Sequence, residues 1–110
     1  MNDKQKILKV AIDVPINQLF DYLPNDELFS IGQYVTIPFG RRKMIGVIYK
    51  ISLDSDIHPS KLKSIINVDH EIIFDEAMFK LLTFVSKYYH YPIGQTIMSV
   101  VPSRLKKNLK

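Results

Sequence analysis

Residues 33–51, QYVTIPFGRRKMIGVIYKI, decide the fold, because they have the pattern of two β-strands joined by a short turn. Apolar side chains alternate with other residues on both sides of the turn, as they do in strands that bury one face. The alternating apolar positions are Val35, Ile37 and Phe39 on the first strand, and Ile45, Val47, Tyr49 and Ile51 on the second. Gly40 can adopt a positive φ at little cost, which favours a tight reversal. The stretch therefore predicts a β-hairpin.

The predicted turn carries three consecutive cations, Arg41, Arg42 and Lys43. A stiff hairpin holds such charges in place before a ligand arrives, which suits contacts with a phosphate backbone. The same residues also keep a hairpin tip solvated and prevent edge-to-edge pairing of strands. From this stretch alone, both interpretations stand.

The composition is that of a single, moderately basic domain. The chain has 110 residues, 46% of them hydrophobic, which is enough for one domain with a core. Its net charge of +4 raises the odds of a polyanionic partner. It has no cysteine, and no apolar run long enough for a membrane span or a signal peptide. We therefore expect a cytoplasmic protein and, since no heptad pattern or long edge strand is evident, a monomer.

Strands precede helices along the chain. Apolar or alternating segments predict strands, besides the hairpin, at residues 6–14, 19–23 and 62–68. Strands followed by helices are typical of an α+β fold. We expect a small antiparallel, barrel-like (OB-like) β-sheet followed by C-terminal helices. The predicted parts are a β-rich body at about residues 6–70 and a helical part at about 74–101.

The helical part begins with one strong signal. Apolar residues recur at helical spacing over residues 74–90, with Asp75 as a good N-cap. Phe74 and Phe79 occupy the positions of a hydrophobic staple. Residues 95–101 predict a second, shorter helix before a proline.

Side chains for catalysis or metal binding do not cluster in the sequence. There is no glycine-rich phosphate loop, and His58, His70 and His90 show none of the usual metal-ligand spacings. We therefore expect no enzymatic activity, no cofactor and no metal site in this chain.

The segment Phe20, Asp21 and Tyr22 has two interpretations. In a strand the two aromatic rings share one face and the aspartate points to the other. They are then either core aromatics beside a solvated carboxylate, or an aromatic platform next to a carboxylate in a nucleotide pocket. Aromatic rings stack on bases without demanding one sequence, and each stack contributes about 1–3 kcal/mol.

Five segments in register carry a resemblance to one family. They are VAIDVPINQLFDYLP, the pattern G-x-x-V-x-I-P-F-G-R-R-x-x-x-G-V-I, LKSIINV, the helix end KYYHYPIGQ, and VVPSRL, in this order over about residues 8–105. Together they resemble the N-terminal domain of primosomal protein N′, the bacterial replication-restart helicase. The resemblance implies a single DNA-binding domain at residues 1–103. Residues 104–110 would be a basic tail or a linker to a helicase core.

The resemblance also implies a function. In that family the domain binds the 3′-hydroxyl terminus of the nascent leading strand at stalled or D-loop forks, and so orients the helicase for primosome assembly. Carried over residue by residue, the expected DNA-binding residues are Phe20, Asp21, Tyr22, Phe39, Gly40, Arg41, Arg42 and Lys63. Lys61, two residues away, is the alternative position for the pocket lysine.

Residue chemistry is consistent with a strand terminus. Phosphates repel a carboxylate, so Asp21 does not suit an ordinary backbone path. At a 3′ terminus the last sugar carries a hydroxyl, which can donate a hydrogen bond to Asp21. Gly40 lets the main chain approach a base closely. Arg41, Arg42 and Lys63 would balance phosphates further back.

The resemblance further implies partners and a parent activity. The parent would be an ATP-dependent 3′-5′ DNA helicase using ATP, Mg and Zn, none of which this segment binds. The helix bearing Phe84 and Tyr88 corresponds to one near the docking site for the acidic, aromatic C-terminal tail of single-stranded DNA-binding protein. These two residues are four apart, so they share a helical face that serves either core packing or partner binding. Other primosome proteins are further expected partners.

Two other functional classes remain open from the sequence. A general single-stranded DNA-binding domain of the small-barrel type would bind strand interiors as well as ends. A protein-docking module would show no preference between DNA ends and little dependence on salt. Preference for a 3′ end separates the first hypothesis from both.

Overall fold

The computed structural model describes residues 5–55, 57–73 and 75–100. The five strands precede both α-helices, which confirms the predicted α+β class. The strands are β1 (Ile7–Ile12), β2 (Phe20–Tyr22), β3 (Gln33–Phe39), β4 (Arg42–Ser52) and β5 (Asn67–Ile73). The helices are a 3₁₀ turn at Pro59–Lys61, α1 (Glu76–Tyr89) and α2 (Ile93–Met98). No helix in these described ranges is long and apolar enough to span a membrane.

The strands form one antiparallel sheet in the order β2-β1-β4-β3-β5, which is open and not closed into a barrel. Leu23, directly after β2, forms an isolated bridge with Ser64, which precedes β5. There the Leu23 amide donates to the Lys63 carbonyl at 2.9 Å, and the Ile65 amide donates to the Leu23 carbonyl at 2.9 Å. The barrel-like arrangement is thus an open sheet whose two edge regions approach each other at this bridge.

The central hairpin forms as predicted, but its turn is shorter, because Arg42 and Lys43, which were expected in the turn, are the first residues of β4. Its last pair is Phe39 with Arg42, so Gly40 and Arg41 alone make the turn. Gly40 has a φ of 63°, whereas Arg41 keeps a negative φ. A positive φ at the first of two turn residues is the type II′ pattern, in which glycine is preferred because it has no Cβ.

One face assignment in the hairpin is wrong. Simple alternation puts Ile51 on the face of Tyr49, but in the structure Ile51 packs with the cluster that contains Ile48. The cause is a change of register between Lys9 and Val10, where β4 has one residue more than β1. One extra residue moves every later side chain to the opposite face.

Apolar clusters cover both faces of the sheet. The first consists of Leu8, Val10, Ile12, Val14, Tyr22, Val35, Ile37, Ile48, Ile65 and Val68. The second lies beneath the helices and consists of Ala11, Tyr34, Val47, Phe79, Leu82, Ile97 and Met98. Burial of strand residues on both faces explains why β1 is apolar at almost every position.

The predicted cap of α1 is confirmed. The Asp75 carboxylate accepts a hydrogen bond from the Ala77 amide at 2.7 Å, as an N-cap does. His90 ends the helix with a φ of 58°. The staple partner Phe74 lies outside the described residues, as do residues 101–110, which include the predicted tail.

The strand predicted at residues 62–68 begins later, since β5 starts at Asn67. The residues before it connect two strands of the sheet. The Lys63 carbonyl bonds to Leu23 beyond β2, while the Ile66 amide donates to the Thr36 carbonyl of β3 at 2.7 Å. A segment whose hydrogen bonds go to two distant strands cannot form a regular ladder with either. This crossing segment, residues 62–66, brings Lys63 to the β2 edge of the sheet.

Candidate nucleic-acid interface

A pocket of about 480 Å³ opens where β2, the hairpin turn and the crossing segment meet. The expected DNA-binding residues that line it are Phe20, Asp21, Tyr22, Phe39, Gly40 and Lys63. They come from separate parts of the sequence. The fold therefore brings together the Phe-Asp-Tyr segment, the Phe-Gly turn and the Leu-Lys segment, as the resemblance implied.

Aromatic rings form one wall of the pocket. Phe20 and Phe39 meet edge to face, with ring centroids 5.4 Å apart. Tyr22 is buried, and its hydroxyl donates a hydrogen bond to the Pro38 carbonyl at 2.7 Å. Burial raises the pKa of Tyr22 to about 12, so the hydroxyl stays protonated as a donor at neutral pH. Tyr22 thus ties β2 to the end of β3, while the partly buried Phe20 and Phe39 remain available to a ligand.

The carboxylate of Asp21 already has two partners. The Lys9 ammonium lies 2.8 Å from Asp21 Oδ1, and the Ser55 hydroxyl donates to Asp21 Oδ2. The Asp21 side chain is 11% exposed, so the carboxylate is held below the surface. A carboxylate in this position is charge-compensated, unlike the solvated aspartate of the alternative interpretation.

Sequence reasoning missed Lys9 and Ser55 as part of the site. Lys9 is the direct cross-strand partner of Asp21, a relation that depends on the register of β1 and β2. Ser55 lies in the loop after β4, 34 residues from Asp21 in sequence. The polar position of Lys9 in an otherwise apolar strand was the one available signal.

Lys61 and Lys63 both line the pocket and both have exposed side chains. The 3₁₀ turn at Pro59–Lys61 and the bond from the Leu23 amide to the Lys63 carbonyl hold this segment at the pocket rim. The structure therefore brings both candidate lysines to the site and leaves the choice between them open.

Arg41 and Arg42 are exposed and do not line the pocket. Gly40, the residue before them, does line the pocket, so the two arginines lie at the hairpin tip next to the pocket wall. This position suits contacts with a polyanion outside the pocket.

Phe84 and Tyr88 lie on α1 away from this pocket and are exposed by 59% and 64%. Their rings stack with centroids 5.4 Å apart and an interplanar angle of 14°. Phe84 also lines a groove of about 1070 Å³ together with Lys80 and Lys87. The core interpretation of these two aromatics is therefore wrong, because α1 buries Phe79, Leu82 and Ser86 instead.

Metal ligands do not gather in the described part of the chain. No group of three or more His, Cys, Asp or Glu side chains there could hold an ion. The pocket is lined by aromatic rings, one charge-compensated carboxylate and two exposed lysines.

Comparison with known proteins gives the family. The sequence matches the family described as 3′DNA-binding domain (3′BD) over residues 9–102. It is 32% identical over 103 residues to the replication restart protein PriA of Haemophilus influenzae, covering 92% of this chain and 14% of that protein. The proteins of the same name from Chlamydia pneumoniae and Treponema pallidum are 33% identical over 98 residues and 30% identical over 108 residues.

These two alignments cover 86% and 91% of this chain, but 13% and 16% of the relatives. The chain therefore spans only about one seventh of the length of the relatives that it matches. The family match, in contrast, extends over most of the chain and includes every residue that lines the pocket. The chain belongs to the 3′DNA-binding domain family.

Proposed function

We propose that this domain binds the 3′-hydroxyl terminus of the nascent leading strand at stalled or D-loop forks, and thereby orients a replication-restart helicase for primosome assembly. The observation that carries the proposal is one pocket that combines an aromatic wall, a largely buried carboxylate, a turn glycine and two rim lysines. The name of the relatives, replication restart protein PriA, supports the cellular setting.

The pocket has a place for each part of a terminal nucleotide. Asp21 is the acceptor for the 3′-hydroxyl, since a charged acceptor forms a stronger hydrogen bond than a neutral one. A base would lie against the ring of Phe20 or Phe39 and beside the main chain of Gly40. A Cβ built on Gly40 meets no atom within 4 Å, so the main chain there faces open space. Main-chain contacts of this kind do not require one base.

Cations around the pocket would hold the phosphates behind the terminal nucleotide. Lys61 and Lys63 are at the rim, and Arg41 and Arg42 are at the hairpin tip. Each phosphate neutralised on a single strand makes the slope of log K, the binding constant, against log salt concentration more negative by about 0.7. We therefore expect binding to weaken steeply as salt increases.

The direct test compares three forms of one labelled oligonucleotide by fluorescence anisotropy at two salt concentrations. They end in a 3′-hydroxyl, end in a 3′-phosphate, or are circular. We expect the 3′-hydroxyl strand to bind at least about tenfold more tightly than the other two, because only it can donate to Asp21. The ratio of the 3′-hydroxyl strand to the circular strand should change little with salt, since the two share their internal phosphates, whereas the ratio to the 3′-phosphate strand also contains the salt-dependent effect of its terminal charge.

Each alternative makes a different prediction for this titration. A general single-stranded DNA-binding domain would bind the circular strand as tightly as the linear one, with affinity that grows with length. A protein-docking module would bind all three weakly. Either result would refute recognition of the 3′ terminus.

We also propose that Phe84 and Tyr88 bind the acidic, aromatic C-terminal tail of single-stranded DNA-binding protein. Two stacked rings, each more than half exposed, are an uncommon arrangement unless a partner covers them. Lys80 and Lys87 line the adjoining groove, and cations complement an acidic peptide. The other charged residues of the groove, Asp75 and Glu76, lie at the beginning of α1, where Glu76 forms an exposed ion pair with Lys80 at 3.8 Å. Among the described residues of the groove, Lys87 is therefore the cation that remains for an acidic peptide.

A double variant, Phe84→Ala with Tyr88→Ala, is expected to weaken binding of a tail peptide at least about tenfold, because exposed aromatic anchors often contribute more than 1 kcal/mol each. Isothermal titration calorimetry measures the effect. Met78→Ala is the matched control, since it shortens an exposed apolar side chain on another face of α1. Unchanged affinity of a folded double variant would refute this docking site.

A helicase motor would lie in the rest of a longer parent protein, since this chain corresponds to a small part of its relatives. By the family resemblance, we propose that ATP, Mg and Zn binding and 3′-5′ unwinding belong there. The domain itself would supply recognition of the DNA end and docking of the single-stranded DNA-binding protein tail, in the cytoplasm of the bacterial cell.

A further inference from the structure

We propose that Lys9 and Ser55 are positioning residues that fix the Asp21 carboxylate for the terminal hydroxyl. This inference rests on the proposed function, because it names how the same pocket achieves its selectivity. Neither residue belongs to the motifs that identify the pocket. Both nevertheless contact the Asp21 carboxylate, the group that would distinguish a strand end from a strand interior.

Lys9 holds Asp21 from the neighbouring strand. The two residues are directly opposite each other in the β1–β2 pair, and Nζ lies 2.8 Å from Oδ1. Their side chains are only 23% and 11% exposed, so the contact is shielded from salt more than an ordinary surface ion pair. The ammonium also offsets the negative charge that Asp21 would otherwise bring into a DNA-binding pocket.

Ser55 holds the other carboxylate oxygen from a loop. Its hydroxyl donates to Asp21 Oδ2 and accepts from the Ile57 amide at 3.1 Å. The second bond fixes the hydroxyl oxygen, so the serine is an anchored donor. Ile57 in turn lines the pocket. A short chain of hydrogen bonds therefore joins the pocket wall to the carboxylate.

The two contacts leave acceptor capacity free. An ionised carboxylate has about four lone-pair positions, two on each oxygen. Lys9 uses one position on Oδ1 and Ser55 uses one on Oδ2. A 3′-hydroxyl can therefore bond to either oxygen without displacing either partner. With both oxygens held, the carboxylate loses little rotamer freedom when the DNA end arrives, and this reduces the entropic cost of binding.

The readout that isolates this role is the hydroxyl preference, defined as the affinity for a 3′-hydroxyl strand divided by that for the same strand ending in a 2′,3′-dideoxynucleotide. The two strands have the same charge and differ in one hydroxyl. A change in overall charge or a partial loss of stability alters both affinities together and leaves the ratio unchanged.

We expect a hydroxyl preference of about tenfold or more in the wild-type protein, since a hydrogen bond to a charged group is lost with the hydroxyl. Lys9→Met and Ser55→Ala should each lower the preference to about threefold or less, because the carboxylate is then held at one oxygen only. The conservative variants Lys9→Arg and Ser55→Thr keep a donor in place and should retain more of it.

Lys50→Met is the matched control for loss of charge. Lys50 is the partner of Lys9 on the other side of β1, is exposed, and does not line the pocket. We expect this variant to weaken both strands equally and to keep the wild-type preference. In an Asp21→Asn background, adding Lys9→Met or Ser55→Ala should change the preference no further, because both act through Asp21.

The outcomes separate this inference from the proposed function. A wild-type preference near one would refute hydroxyl recognition itself. A wild-type preference that persists in both Lys9→Met and Ser55→Ala would refute the positioning role and leave hydroxyl recognition standing. The positioning role would also be refuted if Lys9→Met or Ser55→Ala lowered the hydroxyl preference by the same factor in the wild-type protein and in the Asp21→Asn variant. The residue would then act independently of Asp21.

Discussion

Replacing Gly94 by alanine is expected to lower the free energy of unfolding by about 3 kcal/mol or more, at the upper end of the usual cost of overpacking a core. Gly94 is buried near the beginning of α2, where the helix lies on β1. A Cβ at this position would be 1.8 Å from the Ile12 carbonyl oxygen and 2.9 Å from the Ile12 carbonyl carbon. The obstacle is main chain at the end of β1, so no rotamer change can relieve it.

Urea denaturation followed by circular dichroism measures this effect, and thermal melting should show a fall in Tm of roughly 12 °C or more for a domain of this size. Gly40→Ala is the matched control, because it adds the same methyl group at a glycine in open space. Its positive φ of 63° should cost only about 1–2 kcal/mol. If Gly94→Ala were no more destabilising than Gly40→Ala, α2 could not lie as close to β1 as the structure has it.

Gly94 also clarifies what the motif KYYHYPIGQ represents. The Asn17 side chain accepts a hydrogen bond from the Ile93 amide at 3.0 Å, and Gly94 lies against Ile12. This part of the motif therefore joins α2 to the end of β1 and the loop that leads to β2. It supplies no side chain to the pocket itself.

The parts of the fold that the sequence predicts are those that depend on neighbours in the chain. The β3–β4 hairpin follows from alternation and one glycine, and the start of α1 follows from the Asp75 cap. The bulge opposite Lys9 was not predictable, because it arises from how two strands pair and not from either strand alone. The late start of β5 has the same origin, since the crossing segment bonds to two distant strands.

The site residues also divide into those that the sequence predicts and those that depend on how distant segments pair. The resemblance supplied Phe20, Asp21, Gly40 and the lysine segment, and the fold gathers these around one pocket. Lys9 could not be found in this way, because its link to Asp21 is a cross-strand register. The exposure of Phe84 was also open, since a helical stripe of apolar residues can be wider than the face that the core covers.

Replacing Asp21 by asparagine is expected to weaken binding of a 3′-hydroxyl strand by about 10- to 100-fold, because a hydrogen bond to a charged group contributes about 1.5–3 kcal/mol. Binding of a 3′-dideoxy or circular strand should change little or improve slightly, since a negative charge leaves the pocket. Asparagine has nearly the same shape, and its amide oxygen can still accept from Lys9. The fold should be retained, but Lys9 loses its ionic partner in a largely buried contact, so the free energy of unfolding should fall by about 1–3 kcal/mol.

Asp54→Asn is the matched control for this variant, because Asp54 is an exposed carboxylate in the same loop as Ser55 and does not line the pocket. Both variants raise the net charge by one, so any general gain in attraction for DNA must appear in both. Only a contact with the terminal hydroxyl makes Asp21→Asn lose affinity for one strand while Asp54→Asn does not. A folded Asp21→Asn variant that binds the 3′-hydroxyl strand as tightly as Asp54→Asn would show that the carboxylate serves the architecture of β1, β2 and the Ser55 loop, and that the end of the DNA is recognised elsewhere.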